Sequence, residues 1–161
     1  MGKKIVILVV ILCAGITMGA YSFGIGVQFN GNASDVFSPG VALSLSPKES
    51  THFALNWYFG SENILGMTAD FWFFNPQIAS FGAGSLHFFL GGGLYTNMLI
   101  SLNDFDFKAG VRFPLGLNIK LANDVVEIYV QGAPSVGLRF YPSLGGDRFF
   151  VPFALGGRFW F

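Results

Sequence analysis

Residues 52–59 read HFALNWYF, and large apolar side chains alternate in this stretch with small or polar ones. The two sets are Phe53, Leu55, Trp57 and Phe59 against His52, Ala54, Asn56 and Tyr58. Successive side chains of a β-strand point to opposite faces of the sheet. The stretch therefore predicts a strand with one apolar face and one small or polar face.

The same alternation recurs along the chain. It is found again in residues 23–29, 40–46, 67–74, 85–94, 107–116, 126–140 and 151–161, which predicts about eight strands. Long connections at 30–38, 60–65, 96–106 and 141–148 alternate with shorter ones at 46–50, 75–84 and 122–124. Alternating long loops and short turns are typical of outer-membrane barrels, although 75–84 is long for a turn.

The composition excludes several classes of protein. The chain has 161 residues, of which 52% are apolar and only 11% are charged, whereas soluble domains carry about 25% charged residues. The 28 aromatic residues (20 Phe, five Tyr and three Trp) exclude a disordered chain. Nine basic and nine acidic residues leave no basic surplus for a nucleic acid, so we expect no nucleic-acid partner.

The first twenty residues have the pattern of a secretory signal peptide. Lys3 and Lys4 precede an apolar run over 5–16, and small residues follow. We expect cleavage after Gly19 or Ala20, which leaves a barrel domain over 21–161. The apolar run is too short to span a bilayer as a helix.

Cys13 is the one cysteine of the chain. A lipoprotein acylated on Cys13 is the alternative to a cleaved signal peptide, but Leu12 stands where such proteins have a small residue. Since Cys13 leaves with the signal peptide, we expect neither disulfides nor thiolate metal sites. Export without disulfides favours the bacterial outer membrane.

The orientation of the apolar face separates a membrane barrel from a soluble β-protein. If the apolar faces pointed inward, Phe and Leu side chains would overfill a narrow barrel, and glycine and serine would cover its outside. If they point to lipid, small residues fill the lumen. We therefore predict an all-β fold, an eight-stranded antiparallel up-and-down transmembrane β-barrel.

The chain resembles the small eight-stranded outer-membrane barrels, the class of the OmpA transmembrane domain, OmpX and OmpW. Residues 110–140, GVRFPLGLNIKLANDVVEIYVQGAPSVGLRF, resemble a spirochaete barrel family of unknown function. The last strand, FALGGRFWF, resembles the C-terminal signal that such barrels present to their assembly machinery, through Gly156, Phe159 and Phe161. Ala154 departs from that signal, where a polar residue is usual. The resemblance implies an outer-membrane location and brings no catalytic residues.

The alternation along each strand places the following titratable side chains on the face that points into the lumen. They are His52, Asp70, His87, Lys108, Arg112, Lys120, Glu127, Arg139 and Arg158. We expect a charge network of Asp70, Lys108, Arg112, Glu127, Arg139 and Arg158, in which two acids leave a surplus of basic groups. A plug of paired charges and a narrow anion-favouring pore are both open, and the small diameter of an eight-stranded barrel favours the plug.

Catalysis and metal binding are weaker hypotheses. Ser85 and His87 share one strand face, but we expect positions i and i+2 to be too far apart for easy contact, and no acid partner is marked. His52 and His87 together are more typical of lumen filler than of a metal site. We therefore expect no enzyme, no metal and no cofactor.

The expected role is structural or a surface interaction, with outer-membrane lipid, the assembly machinery and an extracellular ligand of the loops as partners. The apolar residues within 96–106 suit a partner site, a membrane contact or an extension of strand five. A narrow porin-like channel for small solutes, or for hydrophobic molecules, is the alternative function.

Overall fold

The computed structural model describes residues 23–32, 39–59, 64–100, 105–146 and 149–161. The predicted signal peptide lies outside these residues, as do 33–38, 60–63, 101–104 and 147–148 within the four predicted loops. In chain order the described strands are β1 (Gly24–Asn32), β2 (Gly40–Lys48), β3 (Thr51–Tyr58), β4 (Ile64–Phe74), β5 (Gln77–Phe81), β6 (Gly84–Ile100), β7 (Phe105–Arg112), β8 (Leu115–Leu121), β9 (Val126–Gly132), β10 (Ser135–Tyr141), β11 (Gly145–Gly146) and β12 (Pro152–Trp160).

Several of these segments are two parts of one barrel strand that a proline interrupts. β6 pairs with β7 through Gly93–Ile100 and with β8 through Gly84–Leu90, in one unbroken register. Pro114 lies between β7 and β8 and lacks the N–H that the ladder needs. A hydrogen bond from the Gly91 amide to the Pro114 carbonyl (2.7 Å) bridges the gap. β9 continues into β10 across Pro134, and β4 into β5 across Pro76 with shifts in the register against β6. β11 and β12 pair with β10 and β9 and are counted as one barrel strand.

Counted in this way, the described segments make eight barrel strands that close on themselves. Pairing runs from β1 through β2, β3 and β4 to β6, then to β7 and β8, to β10 and β9, and to β12. β12 pairs antiparallel with β1, with Trp160 opposite Gly24, which completes the ring. The predicted eight-stranded antiparallel up-and-down barrel is confirmed.

The faces of the strands are those that the alternation predicts. On β2, Val41, Leu43 and Leu45 are 37–47% exposed, whereas Ser44 and Ser46 are fully buried. β12 repeats the pattern, with apolar side chains outside and with small residues, Arg158 and Trp160 inside. Large apolar groups cover the outside of the barrel, and polar groups fill its interior, which reverses the usual arrangement of a water-soluble domain.

Two predicted connections are largely strand. Residues 75–84 contain β5 and a two-residue turn at 82–83, because Pro76 interrupts the strand without ending it. Residues 96–100 are the end of β6 and 105–106 the start of β7, so the predicted extension of strand five is confirmed for 96–100. With these corrections, tight turns join the strands at one end, here called the turn end, and the longer connections lie at the other, the loop end.

No helix among the described residues is long and apolar enough to cross a membrane.

Candidate functional site: the barrel lumen

Three aromatic side chains from different strands meet inside the barrel. Trp72 stacks on Phe89 with ring centroids 3.7 Å apart and planes 9° apart, and Tyr129 lies edge-on to Trp72 at 6.3 Å. All three are at most 4% exposed. We call Trp72, Phe89 and Tyr129 the lumen plug. His52 adds a fourth ring, 3.9 Å from Trp72.

Glycines make room for the lumen plug on the facing strands. A Cβ atom at Gly156 would collide with the Tyr129 ring, and one at Gly116 would lie 2.8 Å from Phe89 Cζ. Large rings therefore fit in a narrow barrel because their neighbours have no side chain. Gly156, predicted as part of an assembly signal, has this packing role in the folded chain.

Glu127 is the centre of a buried charged cluster beside the plug. Its carboxylate accepts hydrogen bonds from Arg158 Nη1 (2.9 Å), Trp160 Nε1 (2.9 Å) and Asn118 Nδ2 (2.8 Å). Glu127 is 1% exposed and Arg158 is 2% exposed. A buried carboxylate needs such partners, since each of its oxygens loses water on folding.

Arg158 joins the cluster to the plug. Its guanidinium carbon lies 4.5 Å from the centre of the Tyr129 ring and 5.5 Å from that of Trp72. These distances are within the range of cation–π attraction. The positive charge is thus held by the Glu127 carboxylate on one side and aromatic faces on the other.

Other predicted charges form separate pairs. Arg112 Nε lies 3.2 Å from Asp70 Oδ1, and both side chains are at most 7% exposed. Lys108 and Arg139 approach the same carboxylate, Asp106, at 3.9 and 3.4 Å, in a more exposed position. The predicted network is therefore divided into Glu127–Arg158, Asp70–Arg112 and a group around Asp106.

A surplus of basic groups was expected because two acids, Glu49 and Asp106, were not counted among their partners. Lys120 Nζ lies 2.7 Å from Glu49 Oε2, and Glu49 comes from the turn between β2 and β3. Asp106 comes from the start of β7, in a stretch predicted as loop. Parity on the strands could find neither acid, because one lies in a turn and the other in a misassigned loop.

An amide cluster continues the polar filling toward the loop end. Gln28 Nε2 donates to Asn30 Oδ1 (2.8 Å), and Asn30 Nδ2 donates to Asn56 Oδ1 (2.8 Å). The Tyr129 hydroxyl donates to Gln28 Oε1 (2.7 Å) and connects this cluster with the plug. Neutral amides thus pair with one another where charges are absent.

A very small cavity adjoins the plug. His52, Asp70, Trp72 and Arg158 are among the residues that line it, and its volume is about 10 Å³. A space of this size is at the lower limit for a single water molecule. It is far too small for a solute.

The two histidines have separate surroundings. His52 Nδ1 lies 2.8 Å from Ser46 Oγ, inside the barrel. His87 Nε2 lies 2.9 Å from Ser85 Oγ, near the turn end. The expectation that positions i and i+2 would be too far apart for contact was wrong for this pair. Among the described residues, no group of three His, Cys, Asp or Glu side chains has the arrangement of a metal site.

The C-terminal residues Phe159 and Phe161 point outward and are 58% and 72% exposed. The backbone of Phe161 exchanges two hydrogen bonds with Phe23 (2.9 and 3.1 Å), so the end of the chain closes the barrel against β1. The assembly-signal role of these residues stays a prediction.

No family model matches this sequence, and no curated protein sequence is significantly similar to it. The crystal structure of the N-terminal β-barrel domain of Pseudomonas aeruginosa OprF is similar at a TM-score of 0.47 and 15% identity. The similarity covers 89% of this chain and all of that domain. The architecture of this chain is defined by its own closed ring of strand pairs and does not depend on this similarity.

Proposed function

We propose that this chain is an integral barrel of a bacterial outer membrane with a structural or surface-interaction role and a lumen that does not conduct. The observation that carries the proposal is the lumen plug, because stacked aromatic rings of at most 4% exposure occupy the interior of a barrel that is already narrow.

The outer surface supports the membrane location. Apolar side chains on successive strands face outward, among them Phe29 (66% exposed), Leu43 (47%), Met67 (60%) and Leu94 (61%). Water-soluble monomers rarely expose so much contiguous apolar surface. In a lipid environment this surface is not exposed to water, and a closed barrel satisfies its backbone hydrogen bonds internally.

The buried charges support a stable plug over an open channel. Glu127 accepts hydrogen bonds from Arg158 and from two neutral donors within the barrel. The Arg158 guanidinium also lies against the rings of Tyr129 and Trp72, so the ion pair has protein partners on both sides. A conducting path would need continuous hydrated space, which the cavity of about 10 Å³ beside Trp72 does not provide.

Single-channel recording in a planar bilayer tests the proposal. We expect no resolvable conductance from the wild-type chain, and discrete openings from a Trp72→Ala/Phe89→Ala variant that still migrates as a folded barrel. Phe53→Ala, which truncates an outward-facing aromatic side chain, is the control and should stay silent. Steady conductance by the wild type would favour the narrow porin-like channel instead.

A further inference from the structure

Ser85 and His87 form a close pair that the lumen plug and the charge network do not use. Both lie at the start of β6, directly after the turn at 82–83, and both are partly exposed. Ser85 Oγ and His87 Nε2 are 2.9 Å apart. A hydroxyl at this distance from an imidazole nitrogen meets the first requirement for an activated nucleophile.

The second ring nitrogen of His87 faces an atom that can only accept. His87 Nδ1 lies 3.4 Å from the backbone carbonyl oxygen of Asn75. Because a carbonyl has no proton to donate, a hydrogen bond at this contact requires the imidazole proton on Nδ1. The lone pair of Nε2 is then directed at the Ser85 hydroxyl, which is the tautomer that a general base needs.

The interrupted strand supplies that orienting carbonyl. Pro76 separates β4 from β5, and the Phe88 amide donates to the Pro76 carbonyl (3.2 Å), which holds residues 75–76 against β6. The Asn75 carbonyl is thus fixed beside the histidine by the strand pairing.

A surface cleft gives access to the serine. Ser85 lines it together with residues 81–84 on one wall, and Ala122, Asn123 and Asp124 form the other. Its volume is about 520 Å³, within the range of small-molecule sites. The opposite wall is the hairpin turn between β8 and β9, whose three left-handed residues (φ 52°, 57° and 67°) are typical of such turns.

We propose that Ser85 and His87 are the catalytic residues of a hydrolytic site for carboxylic esters at the turn end of the barrel. The expectation of no enzymatic activity rested on these two side chains being out of contact and on the lack of an acid partner. The 2.9 Å contact removes the first reason, and a backbone carbonyl stands where the acid would be. The proposal is independent of whether the lumen conducts.

The reaction has two half-steps. Ser85 Oγ bonds to the ester carbonyl carbon while His87 Nε2 takes the hydroxyl proton, and the carbon–alkoxide bond then breaks as His87 returns the proton to the leaving alcohol. Water next attacks the acyl-serine and gives its proton to His87, and Ser85 regains a proton as the carboxylic acid leaves. One ester and one water yield one alcohol and one acid.

Labelling of the folded full-length chain in detergent with a fluorophosphonate probe tests the pair, with the adduct mapped by mass spectrometry. We expect the adduct on Ser85, and none in Ser85→Ala. Ser80, which is paired opposite Ser85 across β5 and β6, is the matched control, and Ser80→Ala should label like the wild type.

His87→Gln keeps a polar side chain and removes the base, so labelling should slow by about 100-fold or more. Each variant is first checked for the heat-dependent gel mobility of a folded barrel. A folded His87→Gln that labels at the wild-type rate overturns the proposal, as does a wild-type chain that labels no faster than Ser85→Ala.

Two ester sources are then separated by turnover. Hydrolysis of p-nitrophenyl butyrate alone indicates a soluble ester, whereas fatty acid released from phospholipid vesicles indicates a lipid ester. In both cases Ser85→Ala should abolish turnover. A labelled wild-type chain that hydrolyses neither substrate contradicts the proposed hydrolysis.

Discussion

The pair of Glu127 and Arg158 provides the sharpest prediction about what stabilises the barrel. Both side chains are at most 2% exposed and their polar atoms lie 2.9 Å apart. Glu127→Gln keeps the volume but leaves Arg158 buried without a carboxylate, and Arg158→Met leaves a buried carboxylate with neutral donors only. Removal of one partner of a buried ion pair costs about 3–5 kcal/mol, so we expect each variant to lose that much.

The double variant should lose much less than the sum of the two single losses, because a neutral pair replaces both ions together. We expect a coupling energy of at least about 2 kcal/mol. Equilibrium unfolding from lipid vesicles in guanidinium, followed by far-UV circular dichroism, measures the three variants. Arg139→Gln is the control, since Arg139 is 44% exposed and its partner Asp106 keeps a second contact with Lys108, and it should cost no more than about 1 kcal/mol.

Losses that add within about 0.5 kcal/mol would refute this reasoning, because uncoupled sites add in that way. A Glu127→Gln loss as small as that of Arg139→Gln would do the same.

Two further substitutions test the two faces of the wall in the same unfolding assay. Val111→Arg places a charge on the outward face and should lower the free energy of unfolding by about 2–4 kcal/mol at the bilayer midplane. Leu144→Arg at the loop end is the control and should lower it by at most about 1 kcal/mol. Equal small losses would contradict the assignment of Val111 to lipid. Gly156→Ala drives a Cβ atom into the Tyr129 ring and should cost about 1–3 kcal/mol. Gly132→Ala has no atom within 4 Å of the added Cβ and is the control; a Gly156→Ala chain as stable as Gly132→Ala would rule out the proposed packing role.

The barrel could be predicted because the alternation of side chains between the two faces of a strand is visible in the sequence of each strand by itself. A strand that separates lipid from a lumen must alternate apolar and small side chains, so HFALNWYF at 52–59 already indicates which face points where. Ser44 and Ser46 are buried and Leu43 and Leu45 are exposed, as the alternation requires.

The lumen plug was less predictable, because Trp72 and Phe89 are apolar residues on the inward parity. In sequence they weaken the alternation of their strands, and nothing local shows that they stack on each other from β4 and β6. Only the register between those strands, together with glycines such as Gly116, creates the space for their rings.

Residues outside the regular alternation were missed for a similar reason. Glu49 lies in a turn, Asp106 at the start of a strand that looked like loop, and the Asn75 carbonyl beside an interrupting proline. Each acquires its partner through tertiary placement, which periodicity along one strand does not contain. The contact of Ser85 with His87 likewise depends on a side-chain conformation that spacing alone did not favour.

The central claim is that the apolar face of the wall contacts lipid while the lumen is closed by side chains. Trp57 is outward and 53% exposed, whereas Trp72 is in the plug and 4% exposed. We would measure fluorescence quenching in vesicles of acyl-brominated lipid, using chains that keep only Trp57 or only Trp72 and have phenylalanine at the other tryptophan positions. Strong quenching of Trp57 with little quenching of Trp72 is the predicted result. Stronger quenching of Trp72 than of Trp57 would contradict the claim.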